Sequence, residues 1–415
     1  MATRRFTPFY QMRFNSPEFI NIFSDLALKG LAFLTVPLYA YYMTSEELGT
    51  YGEWLSIYFL IYSFVSFGFP TLFQVKLSKI ESNIFEFKKS ALMLSLLSAC
   101  VISVFGYFFW NSYLFYLNSA ILVAITFFYV ELCLVLERNQ KSKRYVFIQL
   151  AHTLCFYIFP LLVLIVYSAS AFMRVASTTA FCLLLLLFLV KHLNKSFRAY
   201  FGSAQRLNYQ DLHYAALLKF GMPFLLIGLF SFMKFGLDIQ LMQANGLHLK
   251  NVGTYTLAFQ LMTILTGLQA ILLRNLSPNL YRSINNNITS NGFDILVAKV
   301  SGFTVVIAFM LLTGVYVIES TIVSEKYPGL TLMCAGLFLS AALMGYNQLY
   351  LTKVLHKEQS SIFLYASCAS GLAHFAFSYI LLRIGSSYGV SLSYVGSSVV
   401  FSICVYLYLR NFNYV

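Results

Sequence analysis

Two lysines stand inside apolar runs long enough to cross a bilayer. Lys29 sits in DLALKGLAFLTVPLYAYY and Lys234 in FLLIGLFSFMKFGLDIQLM. A charge at mid-membrane costs about 2.5–3.5 kcal/mol on the insertion scale, which makes such a residue a functional-site candidate. Each lysine has a carboxylate four residues away, Asp25 before Lys29 and Asp238 after Lys234. On a helix that spacing places both groups on one face. Two readings follow. Each carboxylate neutralises its lysine so that the helix can insert, or the lysines are two cationic sites, one per half, facing a shared cavity. Recurrence in both halves favours the cavity.

Other charged and titratable residues fall within the apolar runs. Arg274 lies near the inner end of an eighth span, just before Pro278. It either snorkels to the inner surface or extends the cationic lining. Arg174, close to an outer face, is expected to snorkel. Glu131 lies one turn inside the inner surface, and Glu53 opens the second span, where a helix N-terminus favours a carboxylate. His374 is near mid-membrane and His152 in the inner third of the fifth span. A histidine at such depth can relay protons, although a hydrogen-bonded packing role is the commoner one. Asp25, Asp238, Glu131 and His374 are the candidates for ion coupling. No hydrolase triad, metal-ligand spacing or phosphate-cradling glycine loop occurs. The chain is therefore expected to act without catalysis, cofactor or metal.

The elements that must position these residues are membrane helices. Of 415 residues, 59% are hydrophobic and only 10% charged, and mean hydropathy is +0.73. A soluble domain carries about 25% charged residues. The net charge of +13 is carried in short loops between apolar runs, a topology signal rather than a nucleic-acid footprint. Twelve spans of about 20 residues fit: Phe19–Met43, Trp54–Val75, Ala91–Trp110, Tyr113–Leu136, Tyr145–Tyr167, Ala171–Val190, Tyr214–Met242, Tyr255–Leu273, Ile295–Ile318, Leu330–Leu351, Ile362–Leu382 and Val390–Leu409. The expected fold is an all-α polytopic protein, with two pseudo-symmetric six-helix bundles around a central cavity. The polar stretch Lys191–His213 divides an N-terminal lobe, 1–200, from a C-terminal lobe, 201–415.

A repeat supports that division. Gly49-Thr50-Tyr51 recurs as Gly253-Thr254-Tyr255, 204 residues on, and each follows a lysine by 20 and 19 residues respectively. With the N-terminus inside, 21 of the 28 Lys and Arg fall in inner segments and three in outer ones. That places both termini in the cytoplasm. The N-terminus lacks a short apolar core with a cleavage site, so the first span reads as an uncleaved anchor. Outer loops run to about a dozen residues, around Met43–Glu53, Gln243–Thr254 and Glu319–Gly329, too short to fold alone. All seven cysteines lie within spans and read as packing residues. Pro37, Pro70, Pro160 and Pro223, also within spans, mark kinks or hinges. Small residues such as Ser367–Gly371 let helices approach closely.

Lys29-Gly30, Pro37-Leu38 and Thr44-Ser45-Glu46-Glu47-Leu48-Gly49-Thr50-Tyr51 resemble the opening of polysaccharide exporters in the multidrug/oligosaccharidyl-lipid/polysaccharide (MOP) superfamily. Lys219–Pro223, Asp238, Val252–Tyr255 and Ser277-Pro278 resemble the matching region of the second half. In length and span number the chain is most similar to Wzx-type O-antigen flippases. The resemblance implies a flippase for undecaprenyl-diphosphate-linked oligosaccharide, resident in the bacterial inner membrane and driven by an H+ or Na+ gradient. It also implies work alongside the polysaccharide polymerase machinery. Two lobes would rock around a central cavity, as in other repeat-built transporters. A diphosphate suits Lys29, Lys234 and Arg274 as its binding residues. The rivals are a lipid II flippase, a multidrug exporter and, from another class, an integral-membrane glycan polymerase or ligase. The lysines disfavour a carrier of cationic drugs, and the short outer loops disfavour an enzyme with a catalytic outer domain.

Overall fold

The computed structural model describes residues 17–66, 113–138, 142–192, 214–285, 290–323, 325–356, 361–384 and 387–411. Among them every regular element is helical. Eleven helices follow in chain order: α1 (Pro17–Tyr42), α2 (Ser45–Ser66), α3 (Tyr113–Arg138), α4 (Ser142–Val166), α5 (Ala171–His192), α6 (Tyr214–Ala244), α7 (Leu249–Asn285), α8 (Ser290–Ile318), α9 (Leu330–His356), α10 (Ser361–Arg383) and α11 (Gly389–Asn411). Nine of the described helices are long and apolar enough to cross a membrane. The chain is a multi-pass, all-α membrane protein. Eleven of the expected spans meet a described helix; the third, Ala91–Trp110, lies outside the described residues, as do Cys100 and Pro70.

Helix starts differ from expectation in one systematic way. The segments expected as outer loops around residues 43–53 and 243–254 are largely helical. Only Met43 and Thr44 separate α1 from α2. Thr44 caps α2, its Oγ1 accepting from Glu47 N at 3.2 Å and its carbonyl from Leu48 N at 3.0 Å. Glu46 and Glu47 lie in the first turn, where the helix dipole favours carboxylates. At the end of α6, Gly246 takes φ +74°. Leu247 N donates to Met242 O and Gly246 N to Gln243 O, a Schellman closure that needs a left-handed residue. α7 restarts at Leu249, so both Gly-Thr-Tyr repeats sit in the first turns of helices.

Prolines act unequally. α1 runs unbroken through Pro37. In α4, residues Leu154–Ile158 widen into a π-turn just before Pro160, where the ring leaves a carbonyl without its usual donor.

Two compact units interleave along the sequence. The first takes Met1–Tyr41, Leu136–Leu150 and Thr254–Val415. Its tightest packing is α10 on α11, with α9 on α11 and α8 on α9. Small residues permit that approach: Ser370 Oγ donates to Ser397 O at 2.8 Å, and Ser340 and Ser398 hydroxyls meet at 2.7 Å. Ile362, Ala366, Phe401, Val405 and Leu409 form an apolar core between α10 and α11. The second unit takes Tyr42–Val135 and Ala151–Gly253. There α2 lies antiparallel along α6, from Glu53 against Gln243 to Ser63 against Gly228. These units are defined by packing; the division near residue 200 is defined by the repeat, and we keep it as a proposal.

Candidate functional site

The first unit holds Lys29 at the middle of α1. Its stem crosses α7 at Gly267. A Cβ on Gly267 would stand 3.0 Å from Lys29 Cε and 3.1 Å from Nζ. A side chain at position 267 would press on the lysine, whose end would have to shift by a few tenths of an ångström. Beside it, a Cβ on Gly30 would meet nothing within 4 Å. Lys29 is half-buried.

Asp25 does not close on Lys29. It is buried, and both its oxygens face the hydroxyl of Tyr145 on α4, at 2.9 and 3.1 Å. Tyr145 is fully buried and in turn accepts from Gln149 Nε2 at 3.2 Å. Asp25 acts on Lys29 through space, and among the described residues the Lys29 ammonium makes no hydrogen bond. The carboxylate that acts on this ammonium is itself hydrogen-bonded to Tyr145. The ammonium attracts an anion: a unit pair at 4 Å gains about 4 kcal/mol at an effective dielectric near 20.

The second unit holds Lys234 and Asp238 on α6. Lys234 is half-buried and Asp238 fully buried. Asp238 acts electrostatically on Lys234, one turn away. The intervening Phe235 is pinned edge-on to Phe59 of α2, with centroids 5.8 Å apart. That contact fixes the rotation of α6 and hence the direction of its charged stripe.

His374 is fully buried on α10. Its Nε2 lies 3.3 Å from Ser378 Oγ, and its ring meets Tyr394 edge-on at 4.6 Å. The Tyr394 hydroxyl is 3.4 Å from that of Tyr255, in the second Gly-Thr-Tyr. His152 stacks on Tyr129 at 3.8 Å and on Phe156 at 5.6 Å, a packing environment. The backbones of Glu131 and Arg274 belong to α3 and α7, but their side chains lie outside the described residues.

Two expectations are corrected. Arg174 does not snorkel: it is 4% exposed, with Cζ 3.6 Å from the Tyr51 ring centroid and Nη1 4.0 Å from Met43 Sδ. A guanidinium is weakly hydrated and its plane stacks on an aromatic face, so it tolerates this burial. Glu53 does not open its helix. With α2 starting at Ser45, Glu53 lies in the third turn and accepts from Gln243 Nε2 on α6. Sequence reasoning missed Tyr145 and Gly267 altogether. It also missed the ladder Tyr51, Trp54, Tyr58 and Tyr62, whose 3-4-4 spacing puts four rings on one face of α2 at 5.3, 5.6 and 6.2 Å.

No family model matches the sequence, and a search of curated proteins finds no match. Solved structures do match. Lipid II flippase MurJ, in an inward closed conformation, superposes with a TM-score of 0.66 over 94% of this chain and 87% of that one, at 12% identity. An inward-facing multidrug resistance MATE family transporter of the MOP superfamily gives 0.57 over 94% and 97%, at 12% identity. The Vibrio cholerae MATE transporter VcmN, in a mutant form, gives 0.58 over 95% of each chain, at 12% identity. The chain shares its fold with these structures. At this identity the likeness extends to architecture, and the cargo has to be argued from the residues.

Proposed function

We propose that the protein is a flippase that moves undecaprenyl-diphosphate-linked oligosaccharide units of the O-antigen type from the cytoplasmic to the periplasmic leaflet of a bacterial inner membrane. The observation that carries this reading is Lys29: an ammonium on a membrane helix, seated over Gly267, with Asp25 held by Tyr145. Lys234 supplies a second cationic station in the other unit, and Arg274 a third along the path. The lysines meet the diphosphate, and its two phosphates offset the cost of keeping ammonium groups at depth. The fold shared with transporters supports movement by alternating access.

The remaining assignments rest on the sequence. Both termini face the cytoplasm, and the repeat halves 1–200 and 201–415 form the two lobes. Transport is coupled to an H+ or Na+ gradient through one or more of Asp25, Asp238, Glu131 and His374, and the polysaccharide polymerase machinery takes up the product.

A second reading is a lipid II flippase, favoured by the 0.66 TM-score to MurJ. The two readings share the diphosphate anchor and differ in the sugar. Deletion of the gene tests them together. The O-unit reading predicts accumulation of labelled lipid-linked oligosaccharide in the inner leaflet, with loss of surface polysaccharide and continued cell-wall growth. Arrested cell-wall synthesis with lipid II accumulation would replace it by the second reading.

A further inference from the structure

We infer that Tyr145 is a positioning residue that keeps Lys29 available to an anionic ligand by holding Asp25 away from it. The inference rests on the reading of Lys29 as a diphosphate site and adds the device that sustains it. Asp25 and Lys29 are four residues apart on α1, a spacing at which a carboxylate and an ammonium would ordinarily pair. At membrane depth the pairing would be stronger still, because each charge lacks water. Yet the carboxylate is turned to α4, with both oxygens 2.9 and 3.1 Å from one buried hydroxyl.

Three features make that orientation durable. Tyr145 is fully buried, so water does not compete for its hydroxyl. Gln149, one turn further along α4, donates to the same oxygen at 3.2 Å, so the Tyr145 proton is committed to Asp25. Hydrogen bonds chained in this way polarise one another. Finally, Lys29 has its own seat. Gly267 lets the stem lie flat on α7, and a methyl group there would crowd Cε and Nζ at 3.0 and 3.1 Å. The ammonium thus keeps the benefit of a nearby negative charge without being tied up by it. An arriving diphosphate finds a cation that, among the described residues, has no ion pair to break.

Binding of farnesyl diphosphate to the purified full-length protein, followed by calorimetry, tests this without requiring transport. Lys29→Ala should abolish measurable binding; unchanged binding would overturn the diphosphate reading of Lys29 and this inference with it. Tyr145→Phe keeps the ring and removes the hydroxyl. Asp25 then swings to Lys29, and affinity should fall about tenfold, the scale of one hydrogen bond to a charged group. Adding Asp25→Asn to Tyr145→Phe removes the competitor and should restore affinity to within about threefold of wild type. Asp25→Asn alone should bind more tightly than wild type, a result that does not depend on how Tyr145→Phe folds. If Lys29→Ala loses binding while Tyr145→Phe binds like wild type, only the role of Tyr145 is lost. Failure of Asp25→Asn to rescue would likewise reduce Tyr145 to a packing residue.

Discussion

Gly49 and Gly253, 204 residues apart in the chain, pack against each other. The amide nitrogen of Gly253 lies 3.3 Å from where a Cβ on Gly49 would stand, and Leu249 O lies 2.5 Å from the same point. The converse holds too, since a Cβ on Gly253 would land on the carbonyl of Ser45. Gly49 meets Leu249 and Gly253 meets Ser45, so the contact is reciprocal under the repeat. The first turns of α2 and α7 thus cross backbone to backbone, as small-residue contacts allow in membranes.

Substitution at that crossing should therefore be costly at both positions. Gly49→Ala and Gly253→Ala should each destabilise the protein by about 1–3 kcal/mol through overpacking. The check is the melting temperature and yield of detergent-purified protein. Gly30→Ala, with open space around it, should leave both unchanged.

Arg174 stacked on Tyr51 predicts a graded series. Tyr51→Phe keeps the ring face but loses the hydroxyl's hydrogen bond with Arg174, and should cost about 1 kcal/mol. Tyr51→Leu loses the cation–π contact and should cost about 2 kcal/mol at this desolvated site. Arg174→Lys should not substitute for arginine, because the planar stacking is lost. Thermal unfolding of the purified variants orders the series, and equal melting temperatures for Tyr51→Phe and Tyr51→Leu would remove the stacking argument.

The orientation of the chain can be read from cysteine labelling. Ser45 is buried, so the exposed Glu46, Glu325 and Lys143 are the better positions. Cysteines at 46 and 325 should react with an impermeant reagent in intact cells, and one at 143 only after permeabilisation. The reverse pattern would invert the topology inferred from the Lys and Arg split.

Glu319 at the end of α8 presents its two carboxylate oxygens to Leu330 N and Thr331 N, at 3.1 and 2.7 Å, capping α9. Gly329, at φ +73°, turns the chain between them. Glu319→Ala should lower stability by about 1 kcal/mol, and Glu319→Gln should recover part of that through its amide oxygen. Melting temperatures of the two variants decide it.

The spans were readable because each is an apolar run of the required length, and the repeat because Gly-Thr-Tyr recurs with its upstream lysine. The start of α2 is legible too: Thr44-Ser45-Glu46-Glu47 has the form of a capping box, although hydropathy rises only later and by itself points to a loop. The partner of Asp25 was not readable. Four-residue spacing points to Lys29, whereas the observed donor, Tyr145, is 120 residues away on another helix. No periodicity encodes that pairing. Nor does sequence show that Gly267 seats Lys29, since a glycine in a helix signals close approach without naming the neighbour. Arg174 misled because depth alone suggested snorkelling; its burial depends on a ring contributed by α2.

Flipping of a fluorescent undecaprenyl-diphosphate-linked oligosaccharide in proteoliposomes tests the central claim most directly. Wild-type protein should move the lipid across the bilayer. Lys29→Ala and Lys234→Ala should each slow it by about tenfold or more, as loss of a cation facing the diphosphate would, and Lys→Arg should retain part of the rate. The pairwise neutral variants, Asp25→Asn with Lys29→Met and Asp238→Asn with Lys234→Met, should stay slow, because the substrate has still lost its cation. Wild-type rates in those double variants would mean that each lysine only balances its neighbouring carboxylate, and would contradict the account.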